Sequence, residues 1–365
     1  MNMFERQVGA GNPVFIIAEA GLNHNGDFNL AKRMVEVARD CGADAVKFQK
    51  RDMETLYRPS CLAAPSEASV SLGVYVPILR RCEFTEEQHA DLAEHCRSIG
   101  IRYLCSPWDV ASVAALERVG VEAYKVPSAC LSDVYLADAI KFTGKPAIFS
   151  TGMHTAHEVE DLVKKYAFLF CGRAAFLHCV SSYPTANRDV NLGCMEWLRT
   201  ISGGAPVGFS GHERGIPITV AAVAMGASIV ERHFTMDRTM QGPDHAASLE
   251  PHGLETLVRH VRAVEEAMGS KKVMNRGEIV SRETIGKCLC WSRNHAVGER
   301  LDRSSFTASS PGYGVSVAKV VEWERAAGNF GIFATCETVA GEPVSESQVA
   351  HGPTMAVGVG QEIVR

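Results

Sequence analysis

Val14-Phe15-Ile16-Ile17-Ala18 is an apolar run that stops at Glu19 and is followed by the polar cluster Asn23-His24-Asn25-Gly26. A run this short, rich in Ile and Phe and bounded by turn residues, reads as a strand covered on both faces. The segment after it has the other periodicity, with Leu30, Met34, Val37 and Ala38 on one face of a helix over 29–40. The same alternation recurs outward along the chain. Seven more runs follow, at Ala45–Phe48, Arg102–Cys105, Ala123–Val126, Ala147–Phe149, Ala174–His178, Val207–Phe209 and Ser228–Val230. Thr85 with Gln88 and Thr155 with Glu158 mark helix starts between them as capping boxes, and the last helix is expected over about Leu254–Met268.

Eight strand–helix units in series predict an α/β fold with a parallel sheet closed into a (β/α)8 TIM barrel. The open doubly wound alternative would carry G-x-G-x-x-G after its first strand, and this chain does not. One connection is overlong: more than fifty residues separate the second and third strands. Within it, Met53–Val76, with Pro59 and Pro65, is expected to form a lid or a subunit contact. After the barrel domain, 1–270, the pattern changes. Residues 271–286 read as a linker, and 287–365, punctuated by Gly298, Pro311-Gly312, Gly314, Gly328, Gly331 and Gly341, as a small mostly β domain.

The chain's 365 residues suit one large and one small domain. Lys plus Arg number 37 against 42 Asp plus Glu, a formal charge of −5 without long runs of either sign, which excludes a nucleic-acid or anionic-membrane surface as the main business. Ile218–Val230, the longest weakly polar stretch, is too short to span a bilayer, and Met1–Gly11 carries no secretory signal. Of 12 Cys, none forms a CxxC pair, and Cys288 and Cys290 make only a CxC. Reduced thiols in the cytoplasm are the expectation.

In a barrel, chemistry sits where strands end at their C-terminal side. Those ends carry Glu19, Lys47 and Gln49, Ser106, Lys125 and Ser128, Ser150-Thr151-Gly152, Ser181-Ser182-Tyr183-Pro184, Ser210-Gly211-His212 and Glu231-Arg232-His233, with Asp244 following. Any one such Lys or Ser is ordinarily a solvated loop residue; the set as a whole is not. Lys47 and Lys125 lie inside apolar runs, where an uncompensated ammonium costs several kcal/mol, so a bound anion is expected beside them. Ser150, Ser210 and the neighbouring glycines supply the hydroxyls and N–H groups of a phosphate or carboxylate cradle. His212 and His233, ending adjacent strands, are structural histidines or the ligands of a divalent metal, with Mg²⁺ or Mn²⁺ suiting two imidazoles plus oxygen donors.

These stretches resemble the N-acetylneuraminate (sialic acid) synthase family. The resemblance is carried by Phe15–Gly26, Val46-Lys47-Phe48-Gln49, Ser150-Thr151-Gly152-Met153, His178 through Pro184, Glu231-Arg232-His233-Phe234-Thr235, Gly242-Pro243-Asp244-His245 and Ser248-Leu249-Glu250-Pro251, in order through nearly the whole barrel. It implies a metal-dependent condensation of phosphoenolpyruvate with an aldose such as N-acetylmannosamine, giving a nine-carbon 2-keto acid and phosphate. It implies Glu19, His212, His233 and Asp244 as catalytic residues, with Mn²⁺ or Mg²⁺ on His212 and His233. Lys47, Lys125, Ser150, Ser181, Tyr183 and Ser210 then correspond to phosphoenolpyruvate contacts, and Gln49, Ser106, Tyr183 and Asp244 to acceptor contacts. It further implies a domain-swapped homodimer whose small antifreeze-like (SAF) domain contains Pro311-Gly312-Tyr313-Gly314.

The chain departs from the family pattern on the sugar side. Ser309-Ser310 stand where a basic residue is usual, Pro127-Ser128-Ala129-Cys130 where Ala-Ser-Gly-Glu is common, and Ser210-Gly211-His212 where Ser-Asp-His is usual. The phosphoenolpyruvate and metal half therefore reads as kept and the acceptor half as altered. Alternatives are a legionaminate or pseudaminate precursor, a non-acylated hexose or another aldehyde as acceptor, a barrel that has lost turnover, or a metal-dependent hydrolase.

Overall fold

The structure, a computed structural model, describes residues 1–351; the last part of the expected small domain, 352–365, lies outside the described residues. The chain forms two compact units, Met1–Gly269 and Ser270–Arg365.

The first unit opens with a two-stranded hairpin, β1 (Asn2–Met3) and β2 (Arg6–Gln7). Eight strands then close a barrel in sequence order: β3 (Phe15–Glu19), β4 (Ala45–Lys50), β5 (Arg102–Pro107), β6 (Tyr124–Val126), β7 (Ala147–Ser150), β8 (Ala174–Cys179), β9 (Val207–Gly211) and β10 (Ile229–His233), with β10 returning to β3. Every expected strand is present, and seven run further at their polar ends than the apolar runs suggested. The ladder bonds join backbone to backbone, so Glu19, Gln49, Ser106, Ser150, Cys179, Ser210 and His233 stay in the strands while their side chains turn inward.

Alternation along each strand sorts the residues into two sets. Outward-facing Ile16, Val46, Phe149, Phe176, Phe209 and Val230 pack with the helices, while Phe15, Ile17, Ala45, Leu104, Ala123, Ile148, Ala175, Leu177 and Ile229 fill the barrel interior. From below, Met3, Phe4 and Val8 of the hairpin segment join this inner cluster and close that end. Gly208 occupies an inward position where any side chain would overlap the Ile229 carbonyl oxygen and the Leu177 side chain, so glycine is required for strands this close.

Helices start where the caps predict. Thr85 and Thr155 form capping boxes on Glu86–Ile99 and Ala156–Phe170, and the last barrel helix is Pro251–Ala267. The long β4–β5 connection holds four short helices, Met53–Leu56, Pro59–Ala63, Pro65–Ala68 and Val70–Cys82, before Glu86–Ile99. Leu79 and Cys82 pack on Leu22 of the loop after β3, which brings this segment over the polar end of the barrel.

In the second unit the expected linker, 271–286, is partly helical. Arg276–Ile285 is a helix, started by an Asn275–Glu278 capping box that the polar composition concealed. Beyond it, β11 (Cys288–Trp291) pairs with β13 (Phe306–Ser309), and β12 (Arg300–Leu301), β14 (Ile332–Ala334) and β15 (Val349–His351) form a second small sheet. Trp291, Phe306, Leu289 and Trp323 of the helix Lys319–Ala327 are in its core. No helix among the described residues is long and apolar enough to cross a membrane.

Candidate active site

The inner face of the barrel changes character at its upper end. Above the apolar layers, Glu19, Lys47, Gln49, Ser106, Lys125, Ser150, Cys179, Ser210, Glu231 and His233 line a cavity of about 340 Å³, joined by Ser181, Tyr183, His212 and Asp244 from the loops. The strand-end residues given a catalytic, substrate or metal role in the sequence therefore meet in one place, whereas Thr151, Ser182 and Arg232 do not line the cavity. The register explains it: Glu19 lies opposite Lys47 and His233, Gln49 opposite Ser106, and Ser210 opposite Glu231 and Cys179.

The charged centre is a chain of four buried groups. Lys47 Nζ lies 2.9 Å from Glu231 Oε1 and 3.4 Å from Glu19 Oε2, and Lys125 Nζ lies 3.6 Å from Glu231 Oε1. Ser210 Oγ donates to the same Glu231 oxygen at 3.4 Å. The two ammoniums are thus compensated by carboxylates of the protein itself, which corrects the expectation that a bound anion must do it. Burial works against the charge of Glu231, yet Lys125 and Lys47 outweigh it and hold its pKa below the usual carboxylate value. Glu19 goes the other way: burial dominates, Glu231 adds to it, and Lys47 with the Gln49 amide offsets only part, so its proton affinity is raised. Two carboxylates on neighbouring strands are thereby pushed apart in acidity, the usual arrangement for dividing acid and base work.

His212 and His233 have ring centroids 5.3 Å apart. His212 Nδ1 is 2.8 Å from the Val180 carbonyl, which can only accept, so Nδ1 carries a proton and Nε2 is the nitrogen that offers a lone pair when the ring is neutral; burial opposes the ring's charge, but Cys179 and that carbonyl raise its pKa. His233 is kept neutral by burial and by the neighbouring His212, and its Nδ1 has no hydrogen-bond partner, with Asp244 Oδ2 at 3.8 Å. Two neighbouring imidazoles fit a divalent ion that takes its remaining ligands from oxygen and displaces the proton from His212 Nε2. Among the described residues no cluster of three or more His, Cys, Asp or Glu forms a closed metal cage.

Around this centre, Ser106 Oγ and Ser150 Oγ are buried without a hydrogen-bond partner. The Gly152 N–H donates to Ser128 Oγ at 3.1 Å, and a methyl at Gly152 would overlap the Ser128 and Ser181 hydroxyls. Tyr183 lays its ring 4.1 Å from that of His212. Asp244 is pushed up to about 6 by burial, with His212 and Arg51 opposing. Its loop is fixed from β3: Asn23 Nδ2 donates to the Phe234 carbonyl and to Ser248 Oγ, and Ser248 Oγ donates to the Asp244 carbonyl at 2.7 Å. On the outer face of β10, Arg232 holds the turn after His212, donating to the Glu213 carboxylate at 2.8 Å and to the Gly215 carbonyl at 2.7 Å.

Sequence reasoning named Glu231 and Ser128 at strand ends without giving them a role, and left Arg51, Trp108 and Cys179 out of the site. Glu231 was within reach, since it lies two residues before His233 and shares its face of the strand. Cys179 directly follows the apolar run Ala174–His178 and carries no signal of its own; burial opposes its thiolate, but His212, the Ser128 hydroxyl and Lys125 bring its pKa down to about 7.

Residues 34–273 match the family described as the NeuB family. N-acetylneuraminate-9-phosphate synthase from Homo sapiens is 40% identical over 289 residues, 78% of this chain and 79% of that one. N,N'-diacetyllegionaminic acid synthase from Campylobacter jejuni is 34% identical over 84% of this chain and 93% of its own. The crystal structure of N-acetylneuraminic acid (sialic acid) synthetase from Leptospira borgpetersenii superposes with a TM-score of 0.68 at 35% identity, covering 78% of this chain and 96% of that one.

Proposed function

The chain belongs to the NeuB family of sialic acid synthases, and from that membership we propose that it condenses phosphoenolpyruvate with an aldose, N-acetylmannosamine or a related hexosamine, to give a nine-carbon 2-keto sugar acid and phosphate. It is a carbon–carbon bond-forming transferase. The observation that carries the reading is the buried Glu19–Lys47–Glu231–Lys125 chain at the same level as the two facing imidazoles.

Lys47 and Lys125 hold the phosphoenolpyruvate anion, and the hydroxyls of Ser150, Ser181 and Ser210, with Tyr183, orient it. Gln49, Ser106, Tyr183 and Asp244 position the acceptor so that its aldehyde carbon faces C3 of the enol. The C3–C1 bond forms as the carbonyl oxygen takes up a proton. Positive charge left at C2 is stabilised by the Glu19 carboxylate, which also accepts a proton from the water that adds there. Phosphate then leaves with the former enol oxygen and takes up the proton of the C2 hydroxyl, and C2 becomes the ketone. His212 and His233 would hold Mn²⁺ or Mg²⁺, which would supply Lewis acidity for the aldehyde. The family also supports a homodimer with exchanged SAF domains, tested by light scattering, and a cytoplasmic location, tested by fractionation.

The deciding assay is phosphate release from phosphoenolpyruvate with Mn²⁺ or Mg²⁺ across a panel of aldoses, with mass spectrometry of the products. A sugar that gains three carbons supports the reading. Phosphate release independent of any acceptor overturns it in favour of hydrolysis.

A further inference from the structure

Arg51 follows β4 directly and lines the cavity. Its side chain is only 4% exposed, yet among the described residues no carboxylate lies within ion-pair distance of it. The guanidinium carbon sits 4.1 Å over the ring centroid of Trp108, and the group donates to the Gln49 side-chain oxygen, which is neutral. Its Nε has no partner. Glu83, the carboxylate that acts on it most strongly, is engaged by Lys50 Nζ at 2.6 Å and by the backbone N–H of Arg51 at 3.0 Å. Buried arginines are paired as a rule, because an uncompensated charge away from water is costly. Stacking on Trp108 holds the planar fork rigid while leaving its edge free, the geometry that takes a carboxylate or phosphate through two parallel hydrogen bonds.

The neighbours say which reactant that anion belongs to. Arg51 stands with Gln49, Ser106, Trp108 and Tyr75, and its charge reaches Asp244. These include the residues given to the acceptor, whereas the phosphoenolpyruvate cations Lys47 and Lys125 are held in the carboxylate chain. We propose that Arg51, supported on Trp108, is a specificity-determining residue that receives an anionic group, a phosphate or a carboxylate, carried by the acceptor sugar. The proposal rests on the synthase reading and narrows its substrate class.

The test uses the full chain with Mn²⁺ and phosphoenolpyruvate against three acceptors: N-acetylmannosamine, its 6-phosphate and the corresponding hexuronic acid. At least one anionic acceptor should exceed the neutral sugar in kcat/KM by roughly 30-fold or more, the preference distinguishing phosphate from carboxylate. In Arg51→Gln that ratio should collapse through the acceptor KM, with Arg51→Lys intermediate because it keeps the charge and loses the fork. Without ligand, Arg51→Gln should be at least as resistant to heat as the parent, since it removes an uncompensated buried charge; a merely structural arginine would lower it. If Arg51→Gln does not fold, Trp108→Leu tests the same point by removing the platform.

Turnover of the neutral sugar with no preference for an anionic one overturns the proposal and leaves the synthase reading standing. So does a raised KM for phosphoenolpyruvate in Arg51→Gln with acceptor selectivity intact. If no acceptor turns over, the synthase reading itself is in question, and calorimetric binding of the two anionic sugars decides: tighter binding to the parent than to Arg51→Gln supports the proposal, and equal binding overturns it.

Discussion

Glu19 and His233 stand opposite each other in register on β3 and β10, the first and last strands of the barrel. Closing the barrel is therefore what puts a carboxylate of raised proton affinity beside an imidazole held neutral. Neither residue has that character in its own segment of chain.

Glu19 must be ionised to stabilise positive charge, and its folded pKa is raised above the ordinary carboxylate value. Activity should accordingly rise with pH through the neutral range, later than for a solvated carboxylate. Glu19→Gln should lower kcat by about 10²- to 10⁴-fold and flatten that acidic limb while the fold is kept. A pH–rate profile of both proteins, with circular dichroism of the variant, checks this; an unchanged limb would remove Glu19 from the chemistry.

Glu231 balances two buried ammoniums. Glu231→Gln should cost about 3–5 kcal/mol in urea unfolding, because Lys47 and Lys125 lose their shared counter-charge. The triple variant Lys47→Met, Lys125→Met, Glu231→Leu, which removes both ammoniums with their counter-charge, should recover much of the stability and none of the activity. Equal stability of parent and Glu231→Gln would show that the ammoniums are compensated by other means.

Chelation should abolish phosphate release, and added Mn²⁺ should restore it. His212→Ala and His233→Ala should each weaken Mn²⁺ binding by at least about 10-fold, as followed by electron paramagnetic resonance. Since His233 carries no hydrogen bond at Nδ1, its removal should leave thermal stability nearly unchanged. Turnover by His233→Ala in chelated buffer would refute the ligand assignment.

His24 and His89 are buried in an aromatic cluster, His24 stacked 4.2 Å from Phe84 and His89 Nδ1 2.7 Å from the Tyr103 hydroxyl. Burial lowers their pKa values to about 4 and about 3. Between the unfolded value, near 6.5, and these folded values, the unfolded chain binds protons that the folded one does not. Stability should therefore be full above pH 6.5 and fall on acidification, by up to about 1.4 kcal/mol per pH unit for each histidine. Unfolding at pH 7, 6 and 5 checks the slope, and His24→Asn and His89→Gln should each make it shallower.

The barrel was legible because each of its strands is buried on both faces and so reads as an apolar run. Its polar tips were legible as chemistry because Lys47 and Lys125 interrupt such runs. Compensation of those two charges was not legible, since it depends on Glu231, which joins them only when the strands come into register. Arg51 carries no such signal, since it follows its strand without interrupting an apolar run; its burial comes from Trp108 and from the helical connection that carries Tyr75, contacts that no local pattern announces. The helix Arg276–Ile285 was missed for a plainer reason: its side chains are mostly polar and none is buried, so there is no apolar period to read.

The pairing of β3 with β10 also sets an order of events during synthesis on the ribosome. Until the segment around Glu231 has emerged, Lys125 has no counter-charge on which to enter the barrel and Lys47 has Glu19 alone, so β6 cannot settle in its final environment however early it is made. The nascent chain must hold most of its strands in an unclosed state, and the last strand acts as a latch that completes the scaffold and arms the site in a single event. A truncation ending before β10 should therefore be a chaperone substrate rather than a smaller enzyme.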